Sequence, residues 1–313
     1  MNETADRMGR RAFVGKATCA AVATGAAARL FAGDAAEDAL DMWQRETDLV
    51  DAGVYERYMA DGDTRGLASL VRLERAFEKV SREAAETVVG DIPAVWSVYN
   101  MGYLVKTRQA FFSIDLVHRR AAELAPRLDF ALITHNHNDH WRPGLYRAMN
   151  GAGKTVISNF LDNYGAADWR KGGSNWAASG GFTRATKVFK IRDVEIRTSL
   201  VDHNDYLIDF TTAFEIRVGN WRLYHTGDCG RKSEPKLANV WGRPDLWLFF
   251  PGCGINVAEA VQRVRPARIV FGHLWELGHK AGRLNAPLIR AALPQARSRC
   301  GNVSLAFWGD RVS

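Results

Sequence analysis

Thr134-His135-Asn136-His137-Asn138-Asp139-His140 follows the apolar run Phe130-Ala131-Leu132-Ile133, and the rest of the chain is best read outward from it. Three imidazoles and a carboxylate stand within six consecutive residues at the exit of a predicted buried strand. Nitrogen and oxygen donors so grouped suit zinc, manganese or iron. On an extended stretch His135, His137 and Asp139 alternate with small polar residues and so can converge on one side. His140 breaks the alternation and is free to serve a neighbouring ion. The competing reading is a polar loop that happens to be rich in histidine, which four ligand-type residues in seven make a poor fit.

Downstream, three more apolar or β-branched runs each end on a potential ligand. Val194 to Val201 leads to Asp202-His203-Asn204-Asp205, Trp221 to Tyr224 leads to His225-Thr226-Gly227-Asp228, and Arg268 to Phe271 leads to Gly272-His273. This is the pattern expected of metal loops at strand ends. His135-x-His137-x-Asp139-His140 resembles the HxHxDH signature of the metallo-β-lactamase-fold hydrolases, whose later ligands follow in the order His, Asp, His. Here His203, Asp228 and His273 stand in that order. Trp96 to Val105, Phe111 to Ser113 and Asp115 resemble the opening strands and structural aspartate of the same fold, so the likeness covers about residues 93–310.

The resemblance implies an α/β fold, a four-layer αβ/βα sandwich with an N-terminal helical extension. It implies two divalent metal ions, with zinc expected and manganese or iron also suited. His135, His137 and His203 would hold one, Asp139, His140 and His273 the other, and Asp228 would bridge them. A hydroxide shared by such a pair attacks a carbonyl or phosphorus centre, and Asp139 could also orient it or carry its proton. True β-lactamases place Cys or a non-ligand where Asp228 stands, which disfavours a β-lactam substrate. His137 is not Glu, so the oxygen-handling di-iron members match poorly. Hydrolysis of an ester or lactone-type bond is the first expectation and phosphodiester hydrolysis the second. The competing class is a non-catalytic, exported metal-binding protein of the same fold.

Three histidines lie outside that set. His118 precedes Arg119-Arg120 and reads as a surface residue. His225 is either a partner of the Asp228 loop or a packed strand residue. His279 is left as a substrate contact or proton donor, and Trp141 and Trp275, which neighbour proposed ligands, are expected to line the substrate pocket. An aromatic wall of that kind suits an apolar, acyl or ring-bearing substrate. A further aromatic- and glycine-bearing stretch from Asn159 to Thr183, with Tyr164, Trp169 and Trp176, reads as an irregular functional segment.

Residues 1–35 carry a separate message. Gly9-Arg10-Arg11-Ala12-Phe13-Val14-Gly15-Lys16 precedes the alanine-rich run Ala17 to Ala32 and resembles a twin-arginine export signal, which implies a periplasmic destination. The run is too short and small-sided for a transmembrane helix. Residues 36–92 read as a helical extension, with Leu73, Phe77, Val80 and Ala84 at helical spacing, packed as a cap or at an oligomer interface. Gly90-Asp91-Ile92-Pro93 marks the boundary before the hydrolase-like residues 93–313. Pro143 suits the first turn of a helix.

The composition, 47% hydrophobic and 25% charged, is that of a globular protein. The 42 basic and 35 acidic residues fall to 37 and 32 once residues 1–35 are set aside, a net charge of about +5 spread along the chain. No basic block with interleaved aromatics points to nucleic acid, and a small-molecule substrate is the expected partner. Of the four cysteines, Cys19 lies in the leader. In the fold that the resemblance implies, the loops of Cys229 and Cys253 are expected side by side at the metal edge, which admits a disulfide, or a thiolate in place of a ligand. Two unpaired small core residues is the plainer reading.

Overall fold

In the computed structural model, which describes residues 34–160, 187–237 and 241–313, two β-sheets face each other with helices outside them. The first sheet runs in chain order: β1 (Ala94–Tyr99), β2 (Gly102–Lys106), β3 (Phe111–Ile114), β4 (Phe130–Leu132) and β5 (Thr155–Ile157). Its first three strands pair antiparallel and its last three parallel. β1, β3 and β4 are buried at every position, as strands covered on both faces must be.

The second sheet comprises β6 (Lys187–Ile191), β7 (Val194–Val201), β8 (Thr211–Val218), β9 (Trp221–His225), β10 (Leu246–Phe249), β11 (Ile269–Phe271) and β12 (Val303–Leu305), again in chain order across the sheet. β6 to β9 form an antiparallel meander, and β9 to β12 continue parallel. β7 alternates buried and half-buried residues, so one of its faces is not fully covered. The sheets meet where His225 Nε2 lies 3.0 Å from the Met101 carbonyl oxygen and the Tyr103 and His225 rings cross edge to face.

Three helices precede the sheets: α1 (Asp34–Thr47), α2 (Ala52–Asp61) and α3 (Ala68–Glu86). The Asp51 side chain accepts the Val54 N–H and caps α2, and Gly62 closes it in the left-handed conformation. α3 packs on β1 and β2 through Leu73, Phe77, Val80 and Ala84, the residues read at helical spacing. Far from standing apart, α1 to α3 share one continuous hydrophobic core with both sheets. Trp43 of α1 meets Trp275 at 4.4 Å between ring centroids, and Arg72 lies over the Trp43 ring. α4 (Pro143–Gly151) starts at the predicted proline and packs on β5. α5 (Val257–Val264) packs on α6 (Asn285–Arg297), which also reaches β12.

His118 corrects an expectation. It is buried, stacked on Phe77 at 4.0 Å, with Nε2 3.0 Å from Tyr58 Oη. Its partners come from α2 and α3, far back in the chain, and burial pushes its imidazole down to about 3. Residues 1–33, and Tyr164, Trp169 and Trp176, lie outside the described residues. Among the described residues no helix is long and apolar enough to cross a membrane.

Candidate metal centre

Every expected ligand lies on a loop that leaves a strand end. The segment from His135 to His140 follows β4, His203 follows β7, Asp228 follows β9 and His273 follows β11. The chain must turn sharply at each exit for the side chains to face the seam between sheets. His273 (φ 57°) and Asp115 (φ 45°) are accordingly left-handed, a conformation seldom adopted outside glycine. Gly227 (φ 52°) turns the Asp228 loop where an added Cβ would meet Thr134 at 2.8 Å.

The side chains converge in two adjoining groups. One donor atom each from His135, His137 and His203 lies within 4.8 Å of the others, and so does one each from Asp139, His140, Asp228 and His273. Asp228 belongs to both neighbourhoods. Its Oδ1 is 3.3 Å from His140 Nε2, and its Oδ2 is 3.5 Å from His273 Nε2 and 3.7 Å from His203 Nε2. His135 Nε2 and both ring nitrogens of His203 are buried with no hydrogen-bond partner among the described residues. Such orphaned acceptors cost free energy unless something fills the space between them. A donor set of five imidazoles and two carboxylates fits a pair of zinc, manganese or iron ions.

A layer of hydrogen bonds behind the ligands fixes their tautomers. Asp115 is fully buried; its Oδ1 accepts the Thr134 N–H at 2.7 Å, and its Oδ2 accepts the Thr134 hydroxyl at 2.6 Å. His140 Nδ1 lies 2.8 Å from that same Oδ2. A carboxylate can only accept, so the proton sits on Nδ1 and His140 presents Nε2 to the centre. His135 Nδ1 lies 3.0 Å from Thr134 Oγ1, whose hydrogen is committed to Asp115, so His135 also presents Nε2.

Two asparagines that sequence reasoning passed over complete this layer. Asn100 (φ 50°) donates to Asp139 Oδ2 at 3.2 Å, and its carbonyl accepts the His273 N–H at 3.1 Å. Asn285, opening α6, donates to the His273 carbonyl at 3.0 Å and lies 3.0 Å from His273 Nδ1. The one local signal was the Asn100-Met101-Gly102 turn between β1 and β2.

The two groups differ in proton affinity. Burial holds His135 well below the ordinary imidazole range, takes His137 down to about 4 and lowers His203. Burial also opposes charge on His140 and His273. There Asp139 and Asp228, joined by Asp115 for His140, outweigh it, so His140 is raised well above its ordinary value and His273 to about 9. Burial of Asp139 and Asp228 is likewise overcome, chiefly by His140, and both stay ionised. One side is thus a neutral nitrogen cage, and the other holds protons where a cation would replace them.

The centre opens into a cavity of about 480 Å³ whose walls include His137, Asp139, Arg142, Tyr55, Glu56 and His279. Tyr55 and Glu56 come from α2, so the extension forms part of the wall. Arg142 pairs with both Glu56 oxygens at 2.7 and 3.0 Å. His279 stands at the rim, its Nδ1 2.9 Å from Glu276 Oε1. A larger cavity of about 680 Å³, beside Asp91, Asp193 and Trp221, lies at the opposite strand ends, away from every ligand.

Trp275 does not line the pocket as expected. It is fully buried, donating to the Leu40 carbonyl at 3.2 Å and packed on Trp43 and Phe307. The left-handed turn at His273 breaks strand alternation, so the residue two places on faces the core. Trp141 is half-buried against Tyr146 and Phe160. Among the described residues, Tyr55 is the one ring of the cavity wall besides the histidines. His225 is a packed strand residue, but its Nδ1 accepts the Gly227 N–H at 3.2 Å and so steadies the turn before Asp228. Cys229 and Cys253 are both free. Cys229 donates to Thr226 Oγ1, and burial pushes its thiol up to about 12.

Comparison with known proteins agrees with this architecture. The family described as the beta-lactamase superfamily domain matches residues 99–270. No curated protein matches the chain. Among solved structures, Igni18, a metallo hydrolase from the hyperthermophilic archaeon Ignicoccus hospitalis, is similar at 17% identity and a TM-score of 0.50, over 70% of this chain and 97% of its own. CmlA, a diiron beta-hydroxylase from Streptomyces venezuelae, is similar at 15% identity and a TM-score of 0.50, over 71% of this chain. The match spans 54% of the hydroxylase, about half its length. At such identities both likenesses speak to the fold.

Proposed function

The chain belongs to the beta-lactamase superfamily, and on that premise we propose that it is a dinuclear metal-dependent hydrolase cleaving an ester or lactone-type bond. The observation that carries the reading is the meeting of two donor groups at Asp228, beside a cavity large enough for a small molecule. Two divalent cations bound there would supply Lewis acidity and lower the pKa of water at the site. His135, His137 and His203 would hold one, Asp139, His140 and His273 the other, and the two Asp228 oxygens would reach both.

The remaining steps belong to side chains. Asp139 lines the cavity while Asn100 and His273 engage its Oδ2, which leaves Oδ1 to take up a proton. His279, whose Nδ1 lies 2.9 Å from Glu276, would contact the substrate or return a proton to the leaving group. The Arg142–Glu56 pair fixes α2 against the loop after His140 and bounds the substrate on that side. Zinc is the proposed ion, and the arginine pair of the leader supports export to the periplasm.

Elemental analysis of protein purified without added metal or chelator, combined with hydrolysis of chromogenic aryl esters, lactones and bis-aryl phosphodiesters, tests the proposal. About two metal equivalents per chain and ester or lactone turnover are expected. His135→Ala should cost more than the roughly 10–100-fold that loss of a residue supporting a ligand costs. Asp228→Ala should lower metal content. Turnover of the phosphodiester alone would move the assignment to that class. Two metals with no turnover would favour a non-catalytic metal-binding protein, and no metal after reconstitution would end the reading.

A further inference from the structure

Cys253 lies in the turn Pro251-Gly252-Cys253-Gly254 after β10, a strand that carries none of the seven expected ligands. Its Sγ, a His203 ring nitrogen and an Asp228 carboxylate oxygen all lie within 4.8 Å of one another. Asp228 is 5% exposed, and its Oδ1 makes no aligned hydrogen bond among the described residues. Both His203 ring nitrogens are likewise orphaned. The other thiol of this region, Cys229, is turned away onto Thr226 and does not pair with Cys253.

The backbone holds the arrangement together. The Arg231 N–H donates to the Cys253 carbonyl at 3.2 Å, and the Gly230 N–H donates to the Asp202 carbonyl at 2.6 Å. A Cβ on Gly230 would stand 1.9 Å from the His203 carbonyl oxygen and 2.8 Å from that of Cys253. Glycine at that position therefore lets the His203 and Cys253 segments approach as closely as they do.

Resting on the dinuclear reading above, we propose that Cys253 supplies a thiolate donor at the His203–Asp228 edge, making that edge a sulfur-bearing subsite for a thiophilic divalent cation. Around one ion, donors at about 2.3 Å for sulfur and about 2.0–2.1 Å for nitrogen stand roughly 3.5 Å apart at a tetrahedral angle. On coordination the Sγ–H proton passes to solvent, as metal uptake by thiols requires. Thiolate ligation biases the centre toward zinc, cobalt or cadmium over manganese or magnesium. It also distinguishes this centre from an all-nitrogen-and-oxygen one.

The test is cobalt substitution of the full chain. Cobalt(II)-loaded protein is expected to show a near-ultraviolet thiolate-to-metal charge-transfer band that disappears in Cys253→Ser and survives in Cys229→Ser. Visible ligand-field bands at two equivalents without the charge-transfer band would overturn the thiolate while leaving the dinuclear reading intact. Failure to take up cobalt, zinc or manganese would overturn both. Should Cys253→Ser not fold, alkylation of the unmutated chain mapped by peptide mass spectrometry serves instead. Zinc should protect Cys253 and a chelator should expose it, and equal labelling in both states would refute the assignment.

Discussion

Replacing Asp115 by asparagine keeps the shape of the side chain and tests whether the buried carboxylate sets the metal affinity. The left-handed backbone at position 115 is one that asparagine also tolerates, so the effect should come from hydrogen bonds. Asp115 accepts three hydrogens, from Thr134 N, Thr134 Oγ1 and His140 Nδ1. An amide offers only one accepting atom. With its oxygen toward the Thr134 N–H, its NH2 faces His140 Nδ1 and drives that proton to Nε2. The nitrogen meant for a cation then holds its proton as a donor toward Asp139, 3.1 Å away, and Asp228, 3.3 Å away, and yields it less readily to a cation. With the amide flipped, two N–H groups confront each other in a fully buried position, at a cost of about 1–3 kcal/mol.

Either orientation should weaken metal binding by about 10–100-fold, as loss of a carboxylate behind a ligating histidine does. That range corresponds to roughly 1.4–2.7 kcal/mol. His135 should share the effect, because the Thr134 hydroxyl that fixes its tautomer is itself fixed by Asp115. Competition against a metallochromic chelator measures the affinity, and nitrogen-15 NMR of the imidazoles reads the tautomers. Unchanged affinity for both cations, with His140 still protonated at Nδ1, would refute the argument.

Two further outcomes are expected. His118 has a folded-state pKa of about 3, lowered chiefly by burial, against an ordinary 6.5, so below 6.5 the unfolded chain binds a proton that the folded chain refuses. Its contribution to stability is full above pH 6.5, falls by about 2 kcal/mol by pH 5 and is lost as pH approaches 3; His118→Gln should remove that slope in urea unfolding at pH 7 and 5, and an identical loss in both proteins would sink the idea. Gly230→Ala places a methyl on two backbone carbonyls and should cost about 1–3 kcal/mol, seen as a lower urea midpoint together with disturbed metal binding through His203; a normal midpoint would show that the His203 and Cys253 segments can part freely.

The ligands were legible because each combines two local signals, an apolar run and a metal-type residue at its exit. β7 ends at Val201 and β9 at His225, two and three residues before the expected ligands. What stayed hidden depends on contacts distant along the chain. His118 looked exposed beside two arginines, yet Tyr58 and Phe77 cover it from about 60 and 41 positions earlier. Trp275 looked like a pocket residue because it neighbours a ligand, and Trp43 and Leu40 claim it from α1. Glu56 and Tyr55 carry no motif at all; only the packing of α2 brings them to the cavity wall. Periodicity marks which face of an element is apolar, but not which distant element will cover it.

The left-handed residues explain why so much of the site rests on short local turns. Asn100, Asp115 and His273 each adopt a conformation that costs a non-glycine residue free energy, of order 1–3 kcal/mol at the sparsely populated extremes and less for Asn and Asp. Each also makes a backbone bond that ties a strand end in place: Asp115 N–H to the Leu132 carbonyl at 3.0 Å, and His273 N–H to the Asn100 carbonyl at 3.1 Å. The second bond spans the two sheets. A relaxed strand exit would let His273 continue the alternation of β11 and face along the sheet. The forced turn instead aims its Nε2 at Asp139 and Asp228 across the seam. Backbone strain therefore falls on one ligand and on two residues that orient others, and the fully buried strands on either side hold them there.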